Sequence, residues 1–391
     1  MISNNFQLSD DHRQILDLAD RYAREQLHPL WRRMDEEDWY PDHLMSQLGN
    51  DGWLGITVPA EQGGAGMDFF SQCLVSQAFN RYNYSAAAIH AAHDNLCLNN
   101  IFRNGSNELI EKYIPDMIAG KKVGGIGITE PGAGSDAIGS MATTARREGD
   151  KYILNGRKIF TSNGPIADVL LIYAKTDKAA GANGISAFVV DTNAPGFSTA
   201  QSLPKMGYRG QPIGEMVMDD CEVPVENLIG EENKGVAVLM SGLDLERVGG
   251  SFWGLGIMER ALELALDYAK DRVQFGKPIA SFQLVQAMLA DMHVLVETTR
   301  QTVYAAAAAL NHLEQGGGGR GDEHKIAAVA FLHAGRSCMK VVDMAAQIFG
   351  GYSLITENEV NFLYRAGKLL EIGGGTVQVR QLIIAEELLK G

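Results

Sequence analysis

The sequence predicts a mainly α-helical α+β protein, with helices at both ends and a β region between them. Three observations predict it. From about residue 9 to 122, apolar residues recur at helical spacing. From about 123 to 232 the pattern changes to short β-rich runs bounded by turn residues. From about 236 onward, long helical patterns return. The expected divisions are a helical domain over 1–122, a β domain over 123–235 and a second helical domain over 236–391.

The elements follow in order. Ser9 before Asp10 and Asp11 reads as an N-cap with an acidic first turn, which suits the positive end of a helix dipole. Ile15, Leu18, Ala19, Tyr22 and Ala23 then recur with the period of a helix. The Gly-rich run Glu61–Gly66 interrupts this region. Strands are expected around Tyr152–Leu154, Asp168–Tyr173, Ile185–Val190 and Glu215–Met218. No helix alternates with them, and GxGxxG is absent, which argues against a Rossmann unit. Leu255–Ala269 is a strong amphipathic pattern, and Ala305–Ala309 is a run of good helix formers. Gly316–Gly319 with Arg320, Gly321 and Asp322 reads as a flexible inter-helix loop.

Composition narrows the function. A chain of 391 residues suggests two or three subdomains, and 46% apolar residues supply a core that requires no metal or disulfide staple. A net charge of −14 repels phosphate backbones and anionic lipid heads, so general nucleic-acid or membrane binding is not expected. No apolar stretch approaches the roughly 20 residues needed to span a bilayer. Cys73, Cys97, Cys221 and Cys338 are scattered, which favours a reduced compartment over disulfides or a zinc site. Met1–Asn5 lacks the basic-then-apolar pattern of a signal peptide. The expected location is the cytoplasm, or the mitochondrial matrix for a processed form.

Three segments carry chemistry. Gly127–Asp136 contains Pro131 and glycines that bring backbone close to a ligand, with hydroxyls at Thr129 and Ser135. Alone it reads equally as an ordinary Gly-rich turn. Asn155–Gly164 leads from a strand to Phe160, Thr161 and Ser162. An aromatic can cover a flat ring and hydroxyls can bond its heteroatoms, though a hairpin with a buried Phe would look the same. Asp271–Ile279 with Phe282 and Gln283 adds Arg272, a fork that suits two phosphates or a surface salt bridge.

In this order and at these separations, the three segments resemble the acyl-CoA dehydrogenases, and the resemblance covers nearly the whole chain. It implies an N-terminal helical domain, a middle β domain and a C-terminal four-helix bundle. It also implies a homotetramer with FAD at subunit interfaces, an acyl-CoA substrate and an electron-transfer flavoprotein as acceptor. Ile126, Ile128, Thr129 and Ser135 match the stretch lining the flavin and the thioester, and Ser162 the hydroxyl on flavin N5. Phe160 stands where the family usually has Trp, a smaller ring cover. Arg272, Phe275 and Gln283 match the segment reaching FAD from a neighbouring subunit. Gln347, Gly350 and Gly351 match the segment over its adenosine half, and Thr376 and Gln378 the last contacts.

The reaction needs a carboxylate beside Cα, and burial would bring a Glu pKa toward neutrality. Many family members carry that Glu at the position of Gly374, so the usual base is missing here. Glu371 is near in sequence but is expected to rotate away. The isovaleryl-CoA dehydrogenase-like branch carries the base on an earlier helix, in a stretch like Leu243–Arg247, and has Gly at the later position. Glu246 is therefore the expected base, against the alternative of a solvated pair with Arg247 or Arg260. Gly249 and Gly250, one turn on, are expected to leave room for substrate.

The resemblance keeps Gly374 as a backbone donor to the thioester carbonyl, with Gly375 beside it. Asp244 and Arg247 match residues that bind the CoA part, together with Ser135. His93–Asn100 with Arg103–Gly105 also resembles the isovaleryl branch. Ala88, Ala92, Phe252 and Trp253 depart from it in size, which points to a branched or medium-length acyl chain. Ala366 stands where an Asp is usual beside Arg365, so subunit contacts there are expected to differ. The rival readings are a flavin oxidase or monooxygenase on the same fold, a dehydrogenase of carrier-protein-bound thioesters, and a scaffold or DNA-binding relative. The acidic end Glu386-Glu387 argues against DNA.

Overall fold

A computed structural model describes residues 8–312 and 319–390. Seven helices come first: α1 (Asp10–Tyr22), α2 (Trp31–Glu37), α3 (Leu44–Asn50), α4 (Phe69–Tyr82), α5 (Tyr84–Ala91), α6 (Asn99–Asn104) and α7 (Asn107–Ile118). The Ser9 hydroxyl caps α1 by accepting from the His12 N–H at 3.1 Å, as the sequence suggests. Ile15, Ala19 and Ala23 bury their side chains, but Leu18 is 50% exposed and sits on the edge of the stripe. The Gly-rich break lies between α3 and α4, where Gly63 and Gly66 take positive φ. Ala92–Leu98 is wider than an α-helix, with one π-type segment joining α5 to α6. Met1–Asn5 and Gly316–Gly318 lie outside the described residues.

The middle is an eight-stranded sheet in the order β6-β7-β3-β2-β4-β5-β8, with β1 added parallel to β4. The strands are β1 (Gly124–Gly127), β2 (Thr144–Glu148), β3 (Lys151–Ser162), β4 (Val169–Lys175), β5 (Ile185–Asp191), β6 (Phe197–Ser202), β7 (Ile213–Pro224) and β8 (Leu228–Ile229). Val169–Ala174 and Ile185–Val190 are buried throughout, which explains their unbroken apolar runs. The β3–β7 register slips between Lys158 and Thr161. Such a bulge re-aims a side chain. Here Phe160 takes φ +58° and is left 63% exposed.

The last region is built on α8 (Gly235–Asp271), a 37-residue helix. A short ribbon, β9 (Val273–Gln274) and β10 (Lys277–Pro278), turns the chain into α9 (Gln283–Leu310). Then follow α10 (Gly321–Phe349), α11 (Glu359–Gly367), α12 (Leu369–Ile372) and α13 (Val377–Leu389). Leu255, Ile257, Met258, Ala261, Leu262, Ala265 and Ala269 all join the core. Packing against α8 is close because of its glycines. A Cβ at Gly256 would stand 2.2 Å from the Gln77 carbonyl oxygen on α4, and one at Gly254 would stand 3.2 Å from that of Ala334 on α10. Among the described residues no helix is long and apolar enough to cross a membrane.

Candidate active site

Glu246 projects from α8 toward α6. It is partly buried, and Asn100 donates an amide N–H to its Oε1 at 3.0 Å. Arg103 donates to the Asn100 Oδ1 at 3.4 Å. Burial raises the Glu246 carboxyl to about pKa 7, and the opposing pull of Arg103 and Asn100 does not cancel it. This is not the solvated Arg247 or Arg260 pair. Arg247 turns to Asp244, and Arg260 to Glu359 and Glu263.

The glycines of this helix are used differently from expectation. The space at Gly250 is filled by the Phe331 ring, 3.0 Å from where a Cβ would lie, and that at Gly249 faces the Asn95 amide at 3.1 Å. The glycine beside the carboxylate is Gly242, whose Cβ would stand 2.8 Å from the Glu246 Oε1 and 2.6 Å from Arg103. The reason is helical geometry. Gly242 precedes Glu246 by four residues, and helical side chains lean toward the N-terminus.

The turn Gly373–Gly375 lies between α12 and α13. Gly374 takes φ +64° and Gly375 φ +90°. The Arg247 Nε donates to the Gly374 carbonyl at 3.4 Å, which ties this turn to the helix carrying Glu246. Asp244 is 1% exposed, and its Oδ1 is taken up by His324 at 2.6 Å and Arg247 at 3.3 Å. Its Oδ2 is buried without a hydrogen-bond partner among the described residues. Glu371 pairs with Lys368 at 2.7 Å. Phe252 stacks on Tyr304 at 5.6 Å and meets Phe70 edge-on, deep in the helical core. Ala88 and Ala92 are buried, and the buried Trp253 indole N–H has no partner among the described residues.

A second group gathers at β1 and β3. Ile126 lies in β1, and Ile128 and Thr129 follow it. The Ile159 N–H donates to the Thr129 carbonyl at 2.8 Å, which sets the loop beside Phe160 and Ser162. Ser135 is exposed. The loop is anchored by Glu130, which is 5% exposed and accepts from the Ala142 and Thr143 N–H groups and from the Lys158 Nζ at 2.8 Å. Lys158 is fully buried, and burial lowers its pKa to about 8 against the pull of Glu130. Lys158→Met should therefore strand a buried carboxylate and lower stability by about 3–5 kcal/mol. Chemical denaturation would show it; a loss under about 1 kcal/mol would mean the pair does not hold the loop.

A third group lies at the far end of α8. Arg272, Gly350 and Gly351 line an open cleft of about 560 Å³ with Tyr268, Gln274 and Tyr352. Arg272 ends α8, stands 5.6 Å from the Tyr352 ring and makes no ion pair among the described residues. Phe275 is 92% exposed, and Gln283, Gln347 and Gln378 are exposed as well. The Thr376 hydroxyl caps α13 by accepting from the Val379 N–H at 3.3 Å.

The three stretches of the chain match three successive family models. These are the N-terminal domain of acyl-CoA dehydrogenase over residues 9–121, its middle domain over 125–221 and its C-terminal domain over 233–389. The chain belongs to the acyl-CoA dehydrogenase family. It is 38% identical to the mitochondrial isovaleryl-CoA dehydrogenase of Solanum tuberosum, covering 99% of this chain and 93% of the relative. It is 37% identical to the caffeyl-CoA reductase–Etf complex subunit CarC of Acetobacterium woodii, covering 98% and 99%. The solved butyryl-CoA dehydrogenase of Megasphaera elsdenii superposes with a TM-score of 0.93 at 36% identity, covering 98% of this chain and all of that one.

Members of this family are FAD enzymes, and the residues present fit that cofactor. A guanidinium without an ion pair among the described residues faces an open cleft, and an aromatic ring is held outward on a strained backbone beside hydroxyls. Sequence reasoning missed Asn100 and Arg103 as neighbours of Glu246, and Lys158 as the anchor of the Glu130 loop. For Lys158 a signal existed: a cation inside a β-rich run that had to be buried.

Proposed function

We propose that this enzyme removes a proton from Cα and a hydride from Cβ of a branched or medium-length acyl-CoA, giving the 2-enoyl-CoA. Bound FAD supplies the hydride acceptor. Glu246 takes the α proton. The observation that carries this reading is a carboxyl brought to about pKa 7 by burial and tied, through the adjacent Arg247, to the Gly374 turn. Near neutral pH such a group is ionised often enough to act as a base yet stays basic enough to accept a proton. Gly374 is assigned the backbone donor to the thioester oxygen, with Gly375 next to it, and Arg247, Asp244 and Ser135 the contacts to CoA. Thr129, Phe160 and Ser162, with Ile126 and Ile128, form the flavin wall.

The far cleft belongs to another copy's site. Arg272 lies 26 residues along α8 from Glu246, about 39 Å at helical rise. One FAD whose ring lies beside a substrate at Glu246 cannot also reach Arg272 of the same chain. A homo-oligomer, most simply a homotetramer, lets Arg272, Phe275, Gln283, Gln347, Gly350 and Gly351 of one subunit hold the FAD whose ring lies in the next, with Thr376 and Gln378 completing it. Electrons then pass to an electron-transfer flavoprotein. The Etf complex of the Acetobacterium woodii relative supports that partner.

The test is anaerobic mixing of FAD-loaded protein with a panel of branched and straight acyl-CoAs. The flavin absorbance should bleach, fastest with a branched or medium chain, and recover on adding an electron-transfer flavoprotein or dye. No bleaching with any acyl-CoA, or full turnover on oxygen alone, would sink the reading in favour of an oxidase or a carrier-bound substrate.

A further inference from the structure

Arg380, on the first turn of α13, is fully buried, yet among the described residues no carboxylate lies within ion-pair distance of it. An unpaired charge is costly to bury. Here it is met by carbonyl oxygens. Nη1 donates to the Leu370 carbonyl at 2.7 Å and to that of Phe331 at 3.4 Å, and Nη2 donates to the Gly373 carbonyl. The guanidinium lies 3.6 Å over the Phe331 ring. Gly335 makes the space. A Cβ there would stand 2.7 Å from the Leu370 oxygen and 3.4 Å from Nη1. The same Phe331 ring touches the spaces at Gly250 and Gly374. The cradle is therefore built against the turn that Arg247 ties to the helix carrying Glu246.

The Gly373 carbonyl and the Gly374 N–H are two ends of one peptide group. A cation on the oxygen pulls electron density along the amide and strengthens the N–H as a donor. Arg247 grips the next carbonyl, Gly374, from the other side. We propose that Arg380 is a positioning residue for the reaction: it fixes and polarises the Gly373–Gly374 peptide so that its N–H meets the thioester oxygen as negative charge builds there. This rests on the proposed role of Gly374 as that donor. Burial, helped by the charge of Arg247, lowers the guanidinium pKa to about 10, so Arg380 remains a cation at neutral pH. Two guanidiniums thus bias the turn toward an enolate.

The test uses FAD-loaded Arg380→Met and Arg380→Lys with a 3-thia-acyl-CoA, whose β sulfur blocks hydride loss. Deprotonation of its bound Cα gives a coloured complex with the flavin, which reports α-proton acidity directly. In Arg380→Met the apparent pKa of the bound analogue should rise by about one unit, with kcat down roughly tenfold to a hundredfold and KM within about twofold. Arg380→Lys, keeping the charge but losing the fork, should fall between. Folded variants with the wild-type analogue pKa overturn the proposal. So does failure of both to fold with FAD present, because the arginine is then a structural support only. A wild type that is bleached by no acyl-CoA sinks the dehydrogenase reading instead. A wild type that ionises the analogue beside variants that match it sinks only the part assigned to Arg380.

Discussion

Glu246→Gln should bind FAD and acyl-CoA but lose flavin reduction by roughly 10²–10⁴-fold. The amide keeps the shape of the side chain and can still bond Asn100, so the loss isolates proton removal. In the wild type, kcat/KM should rise with pH through about 7, as the Glu246 carboxyl ionises, and then level. Stability should move the other way. The folded pKa of about 7 lies above the ordinary glutamate value, so the folded state retains a proton that the unfolded chain has lost. The favourable contribution of the neutral acid is complete below the unfolded pKa and is lost as pH rises toward about 7. The Gln variant removes that loss and should unfold later than wild type at pH 8, by roughly 1–3 kcal/mol. Stopped-flow reduction and thermal melts at two pH values check both signs. A variant that still reduces its flavin quickly would move the base elsewhere.

Gly374→Ala should be nearly as damaging by a different route. A Cβ there would meet the Phe331 ring at 2.7 Å, and φ +64° adds roughly 1–2 kcal/mol of strain for a non-glycine residue. The turn must shift, and with it the assigned oxyanion donor. Loss of one such donor costs about 10²–10³ in kcat. The expected pattern is a large fall in flavin reduction with a fold intact by circular dichroism. Activity within a few fold of wild type would mean the Gly374 N–H does not face the substrate.

The alternation of helices, strands and helices was legible because each region has its own apolar period. The buried strands Val169–Ala174 and Ile185–Val190 are nearly continuous apolar runs, and the Ser9 cap is a local hydrogen bond written in four residues. Glu246 and Gly374 are singled out only together, because a Glu absent at one position stands at another. What stayed hidden depends on non-local packing. Nothing near Asn100 or Arg103 says that they face a residue 146 or 143 positions later. The Phe331 ring fills the space that the sequence leaves at Gly250, which no helical wheel of α8 can show. Arg380 looks like an ordinary amphipathic-helix cation until the carbonyls of Leu370 and Gly373 are placed around it.

The length of α8 has a consequence for how the subunits share their work. The rod carries Glu246 near one end and Arg272 at the other, in what we assign to two different sites. A lesion at Glu246 would then silence its own chain's site, while one at Arg272 would weaken a neighbour's. Two defective chains of opposite kind, mixed in one assembly, could restore a working site that neither makes alone. In inheritance, alleles at the two ends of this helix would complement each other, although both fall within a single element.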